Sequence, residues 1–214
     1  MGLTVGFAVA GGRSLRMGRD KALLPWAQAT LLDHTLDRLR AVCEEVRILS
    51  GAGPRYADRG VPVDVDAVAD GGPLAGVSAG IEQAGGRLAL FLAVDLPFVP
   101  AGLLRRLAEL APGFDAVVPV TADGAHPLCA AYGPACLAPI RRRLEAGERK
   151  MTCFWPDVRV REVGPAELAA LGDPGTMLRN VNTPEEYERL HAAVRPSRPG
   201  SPSPRRRSRP RGRG

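Results

Sequence analysis

The run Gly11-Gly12-Arg13-Ser14-Leu15-Arg16-Met17-Gly18-Arg19-Asp20-Lys21 concentrates the residue types that hold phosphate. Its glycines let the backbone approach a ligand closely, and consecutive main-chain N–H groups in such a turn make an anion-binding nest. Arg16 and Lys21 add the positive charge that a triphosphate demands. The glycine spacing is not the G-x-G-x-x-G dinucleotide fingerprint, and no Gly-Lys-Ser/Thr follows to make a Walker A loop. A solvated surface loop is the competing reading, but a position directly after an apolar run favours phosphate binding.

A second chemical residue, Asp95, ends the apolar run 88–94. Ligands of open α/β sheets sit outside the carboxyl ends of the strands, so an aspartate there faces the crevice. Beside a nucleotide such a carboxylate binds Mg²⁺, which shares its other positions with water and phosphate. The competing role, capping the next helix, fails because Asp95 lies too far upstream of it. The segment 66–76, D-A-V-A-D-G-G-P-L-A-G, has a loop composition and two carboxylates, Asp66 and Asp70, that suit base or ribose recognition and equally suit a plain turn. In 180–186, Thr183 and Glu186 form a capping box at a helix start, which leaves Asn180 and Asn182 without a capping role. His34, His126 and His191 are scattered, which argues against a nucleophile–base triad.

The elements that must carry these residues alternate. Residues 4–10 read as a buried strand entering the glycine loop, 30–42 has helical apolar spacing, and 46–49 and 61–65 read as strands. A helix rich in small residues is expected over 74–84, able to pack closely on a sheet. The run 88–94 is apolar on both faces, as a central parallel strand should be. A helix over 101–110, strands over 115–120 and 128–132, and a helix over 137–146 carrying Arg141, Arg142 and Arg143 follow. That arginine run reads as a solvated face, or as an attractor of an anionic substrate. A strand over 159–163 and helices over 165–171 and 184–193 complete the pattern. The expected fold is a three-layer α/β, Rossmann-like sheet, mostly parallel, with helices on both faces.

Composition corrects a first impression. The 214 residues carry 29 Lys+Arg against 23 Asp+Glu, a net charge of +6. Eight of the arginines lie in 195–214, which has no acidic residue; without that stretch 21 basic groups face 23 acidic ones, a net of −2. The body, 1–194, is expected to be one domain. The Arg/Pro/Ser-rich tail cannot bury enough apolar surface to offset its ordering entropy and is expected to be disordered. Lys21 and Lys150 are the only lysines, so each reads as a chemical requirement in an arginine-biased chain. The longest apolar run, seven residues, is too short to span a bilayer. Cys43, Cys129, Cys136 and Cys153 form no C-x-x-C pair, as expected of reduced, mostly buried thiols in a cytoplasmic protein.

Four segments together, V-A-G-G-R-S-L-R-M-G-R-D-K-A-L-L, G-P-L-A-G, V-D-L-P-F and N-V-N-T-P-E-E, resemble the molybdenum cofactor guanylyltransferase family, in the family's order and across nearly the whole body. The resemblance implies a nucleotide-diphospho-sugar transferase-like fold. It also implies transfer of GMP from GTP to the terminal phosphate of molybdopterin, or Mo-molybdopterin, with Mg²⁺ and release of pyrophosphate. By the same resemblance Val9, Ala10, Gly11 and Gly12 wrap the guanine nucleotide, Lys21 and Arg16 meet its phosphates, and Asp66 meets the guanosine with Ser50 near it. Asp95 holds the metal, and Asn180 and Asn182 lie toward the pterin. Val9 stands where leucine is usual, Val94 where cysteine often precedes the aspartate, and Ser50 where some members have asparagine. Implied partners include cofactor delivery proteins but no membrane. Two other readings remain open: a related cytidylyltransferase or sugar-1-phosphate nucleotidyltransferase, and a nucleic-acid-binding protein acting through the tail, which predicts a steep salt dependence.

Overall fold

Phe7 and Phe91 stack face to face at 5.1 Å because their strands run parallel with Phe7 opposite Phe91 in register. That pairing lies at the centre of the sheet in a computed structural model describing residues 4–11, 20–51, 53, 55–65 and 72–194. The tail expected to be disordered, 195–214, lies outside the described residues, as do Gly12, Arg16 and Asp66.

The strands are β1 (Thr4–Val9), β2 (Pro25–Trp26), β3 (Ala29–Thr30), β4 (Glu45–Leu49), β5 (Val63–Asp64), β6 (Leu88–Ala93), β7 (Ala116–Thr121), β8 (Gly124–Ala125), β9 (Cys129–Tyr132) and β10 (Val160–Val163). The helices are α1 (Leu31–Arg40), α2 (Gly72–Gln83), α3 (Ala101–Leu110), α4 (Leu137–Glu145), α5 (Pro165–Ala169), α6 (Pro174–Met177) and α7 (Pro184–Val194). The main sheet runs β10-β7-β9-β6-β1-β4-β5, with β8 beside β7. Strands β5, β4, β1 and β6 are mutually parallel; β9 is inserted antiparallel between β6 and β7, and β10 returns parallel to β7.

Sequence explains the layers. Alternate residues of a strand face opposite sides of the sheet, so Phe7 and Phe91 face one layer while Gly6 and Leu90 face the other. On the Phe91 side, α2 approaches closely: a Cβ at Gly80 would stand 2.7 Å from the Phe91 ring, so only glycine fits. Opposite, a Cβ at Gly6 would meet Leu39 of α1 at 3.1 Å. Helix α1 begins on a reciprocal cap: the Thr30 hydroxyl accepts from the Asp33 N–H while the Asp33 carboxylate accepts from the Thr30 N–H, each at 3.2 Å. This satisfies two donors that a helix start otherwise leaves unpaired. Helices α1 and α3 contact each other, as do α2 and α4, which gives the expected three layers.

Some boundaries differ from expectation. The strand expected over 61–65 shrinks to Val63–Asp64 at the sheet edge, where one neighbour holds it. The hairpin β2–β3 and helix α6 have no counterpart in the sequence reading, because two- to four-residue elements are shorter than the window in which periodicity shows. Burial pushes the Cys129 and Cys136 thiols up to about 12, so both stay protonated. Among the described residues no helix is long and apolar enough to cross a membrane.

Candidate functional site

Three parallel strands deliver their carboxyl ends to one edge. The ladder continues past each: Ala10 N–H donates to Leu49 at 2.9 Å, Ser50 N–H to Asp64 at 3.0 Å, and Val94 N–H to Val9 at 3.2 Å. From β1 the chain leads through α1 to β4 on one side, whereas from β6 it leads through α3 to β7 on the other. The crevice between β1 and β6 is thus a topological switch point, where open α/β sheets bind ligands. Ala10 and Gly11 line one side of it and Asp95 the other. At Gly11 a Cβ would lie 2.9 Å from the Gly51 nitrogen, so the backbones after β1 and β4 meet without room for a side chain.

Across this crevice three predicted residues converge. The Lys21 ammonium lies 3.5 Å from Asp95 Oδ2 and 3.5 Å from Asn182 Oδ1. Both distances sit at the long limit of a hydrogen bond, so the ammonium is shared loosely between two acceptors. Each residue comes from a different part of the chain. Lys21 opens a short 3-10 turn, Lys21–Leu23, capped by the Asp20 carboxylate on Ala22 N–H at 3.1 Å. Asp95 follows β6 and does not cap α3, whose N-cap is Pro100. Asn182 precedes α7. There Glu186 Oε2 accepts from the Asn182 and Thr183 N–H groups at 2.9 and 3.2 Å, and Thr183 Oγ1 accepts from Glu186 N–H at 3.2 Å. The capping box therefore holds Asn182 by its backbone and leaves its amide for Lys21.

What brings these segments together is a second, smaller core. Leu24 and Trp26, just after Lys21, pack with Leu31, with Val181 beside Asn182, and with Tyr187 of α7; Phe98, after Asp95, packs against them. Trp26 meets Phe98 edge-on at 5.5 Å, and Tyr187 donates its hydroxyl to the Pro25 carbonyl. Val181 N–H donates to the Asp95 carbonyl at 2.8 Å. From α1, His34 Nε2 donates to the Pro97 carbonyl at 2.8 Å and steadies the turn after Asp95. Burial holds its imidazole below the usual pKa, so it stays neutral near pH 7.

The remaining predicted residues fall as follows. Val9 is buried in β1 and contributes its carbonyl to the ladder. Ser50 is wholly buried, its hydroxyl donating to the Gly53 carbonyl at 2.6 Å, so it shapes the turn after β4. Asn180 is exposed and makes no hydrogen bond to Lys21 or Asp95. Arg141 and Arg143 are paired with Glu82 and with Glu148 and Asp157, so they form a charge-balanced outer face. Sequence reasoning missed Trp26, Phe98 and Tyr187, and also Arg55 and Tyr56, which contact Asp20. The aromatic residues could have been suspected from their adjacency to the motifs, since few aromatics occur in the chain. Arg55 and Tyr56 carried no periodic or motif signal.

Known proteins resemble this chain over most of its length. The profile of the MobA-like NTP transferase domain matches residues 6–157. A probable molybdenum cofactor guanylyltransferase of Pelotomaculum thermopropionicum is 35% identical over 195 residues, covering 91% of this chain and 95% of its own length. One from Opitutus terrae is 39% identical over 191 residues, covering 86% and 93%. Among solved structures, molybdopterin-guanine dinucleotide biosynthesis protein A of Archaeoglobus fulgidus superposes with a TM-score of 0.75 at 21% identity. It covers 89% of this chain and 98% of its own, and it shares the fold.

Proposed function

The chain belongs to the MobA-like NTP transferase family, and from that premise we propose that it transfers GMP from GTP to the terminal phosphate of molybdopterin, releasing pyrophosphate. The observation that carries the reading is the meeting of Lys21, Asp95 and Asn182 at the switch point beside Gly11. The relatives named guanylyltransferases, at 35% and 39% identity over most of the chain, support the choice of GTP and molybdopterin.

In this reaction an oxygen of the acceptor phosphate attacks the α-phosphorus of GTP. A P–O bond forms there as the bond to the β-phosphate bridging oxygen breaks, and pyrophosphate leaves with the electron pair. The protein supplies placement and charge, and no covalent intermediate is needed. Glycine at position 11 and the main-chain groups of 9–11 give the nucleotide a close approach. Lys21, a compact ammonium already between two oxygen acceptors, exchanges those contacts for phosphate oxygens as negative charge accumulates. Asn182 accepts from the ammonium at Oδ1, and its amide N–H₂, which has no hydrogen-bond partner among the described residues, is there to offer the acceptor phosphate. Asn180, exposed just upstream, is assigned to the pterin side, and Arg16, Gly12 and Asp66 complete the nucleotide contacts in this proposal.

Among the described residues no group of three or more His, Cys, Asp or Glu could hold a metal ion. Asp95 at the crevice suits a hard divalent cation such as Mg²⁺, which takes one or two carboxylates and fills its remaining positions with water and phosphate oxygens. When bound by Asp95, Mg²⁺ would neutralise charge on the triphosphate. The reaction is placed in the cytoplasm, with cofactor delivery proteins handling molybdopterin and its dinucleotide product.

The deciding experiment measures pyrophosphate release by the full chain with Mg²⁺ and molybdopterin, using GTP, CTP and ATP in parallel. Release with GTP that depends on molybdopterin is expected. Preference for CTP, or release that ignores molybdopterin, would sink the reading.

A further inference from the structure

The chain is described up to Ala10-Gly11 and again from Asp20, on either side of residues 12–19. One side chain touches both of those points. Arg55 donates through Nη1 to Asp20 Oδ2 at 3.1 Å, and through Nη2 to the carbonyls of Ser50 at 3.0 Å and Ala10 at 3.3 Å. Its neighbour Tyr56 reaches the same carboxylate from a second direction, with its hydroxyl 2.9 and 2.8 Å from Asp20 Oδ1 and Oδ2. The Arg55 guanidinium lies over the Tyr56 ring at 5.1 Å. Tyr56 adopts φ 70°, a left-handed conformation uncommon outside glycine, and it is buried there. Backbone strain of this kind persists only where surrounding contacts over-determine it.

We propose that Arg55, Tyr56 and Asp20 form a clasp that ties Asp20 to the chain after β4 and to the end of β1, and so sets the position of Lys21; this rests on reading the crevice beside Lys21 as the nucleotide site. The route from clasp to chemistry is short. Asp20 Oδ1 also accepts from Ala22 N–H, capping the 3-10 turn that starts at Lys21. Fixing Asp20 therefore fixes the first residue of the turn that presents the ammonium to Asp95 and Asn182. Arg55 acts here as a positioning residue, since three of its donors are directed at one carboxylate and two carbonyls. The planar fork of arginine reaches three separate oxygens at once, which a lysine ammonium on a single stem does not reproduce. Holding Lys21 in place before the nucleotide arrives reduces the ordering that binding must supply, so the clasp raises nucleotide affinity by preorganisation.

The test titrates GTP, CTP, ATP and UTP, each with Mg²⁺, into the full chain by calorimetry, with melting temperature as a check on folding. Arg55→Ala, Tyr56→Phe and Asp20→Asn should each weaken binding of the preferred nucleotide about tenfold while the chain stays folded, as expected for loss of a charge-assisted hydrogen bond. Asp20→Asn combined with Tyr56→Phe should be no worse than Asp20→Asn alone, because both act through one carboxylate. Arg55→Lys should not restore affinity. Wild-type affinity in Tyr56→Phe, additive losses in the double variant, or rescue by Arg55→Lys would each overturn the clasp. If the wild-type chain prefers CTP, the guanylyl reading falls and the clasp is judged with CTP; if it binds no nucleotide, both fall.

Discussion

The Val181 N–H donates to the Asp95 carbonyl across 2.8 Å, stitching the approach to the last helix onto the turn after the central strand. That bond, together with the small aromatic core, places the two residues that flank the Lys21 ammonium, Asp95 and Asn182, through backbone and packing and not through their own side chains. Their geometry is therefore expected to survive side-chain substitution, which makes substitutions here informative about chemistry.

Lys21→Ala and Asp95→Asn are each expected to lower the rate of pyrophosphate release roughly 10²–10³-fold, the usual cost of removing one preorganised electrostatic group. Both variants should melt near the wild-type temperature, because the pair is partly exposed and loosely spaced. Rate measurements beside thermal melts separate the two effects; a near-normal rate in either variant removes the assigned mechanism.

Gly11→Ala places a methyl group 2.9 Å from the Gly51 nitrogen. The obstructing atom is backbone, so the strand ends must separate, at about 1–3 kcal/mol for overpacking. Nucleotide affinity should fall with stability, and calorimetric titration with chemical denaturation reads both. Gly53→Ala, where nothing stands within 4 Å, is the matched control and should cost much less.

Trp26→Ala removes the side chain on which Phe98 and Tyr187 pack. A loss of about 3–5 kcal/mol is expected for deleting a buried tryptophan. Activity should drop further than the folded fraction does, because Lys21, Asp95 and Asn182 lose their common support. Specific activity corrected for the folded population checks this; activity that simply follows folding would show that the small core has no bearing on the site.

The pH dependence of stability has a definite sign. His34 and His126 both have pKa values held below the ordinary 6.5, chiefly by burial. As pH falls through 6.5 the unfolded chain takes up protons that the folded chain refuses, so stability declines from there and levels off below the folded values. Carboxylates with lowered pKa, Glu45 and Asp115 among them, lose their contribution only at lower pH, starting near their ordinary values of 4.5 and 3.8. Melting temperatures from about pH 7 to about pH 5 should fall, and His34→Gln, which keeps a donor for the Pro97 carbonyl, should flatten part of that slope.

The sheet was legible because its strands are apolar runs and its helices have 3.6-residue spacing; Phe91, Gly80 and Leu39 sit where that pattern puts them. The site was legible in part for a different reason. Lys21, Asp95 and Asn182 belong to motifs with no adequate structural role, and the fold brings those three together. What stayed hidden depends on meetings between distant segments. Nothing in P-W-A-Q-A announces that Trp26 will lie against Phe98, and nothing in G-P-R-Y announces that Arg55 will reach Asp20 and Ala10. Such contacts follow from the tertiary path and not from any local period.

The small aromatic core also sets an order in time. Val181 and Tyr187 of this core lie near the carboxyl end of the described chain, whereas Leu24 and Trp26 lie near its beginning. During synthesis the amino-terminal strands and helices emerge and can pair well before α7 leaves the ribosome. The nascent chain can therefore pair the first strands of its sheet before its reaction centre is complete, since Lys21 gains Asn182 as a neighbour only once the segment before α7 has emerged.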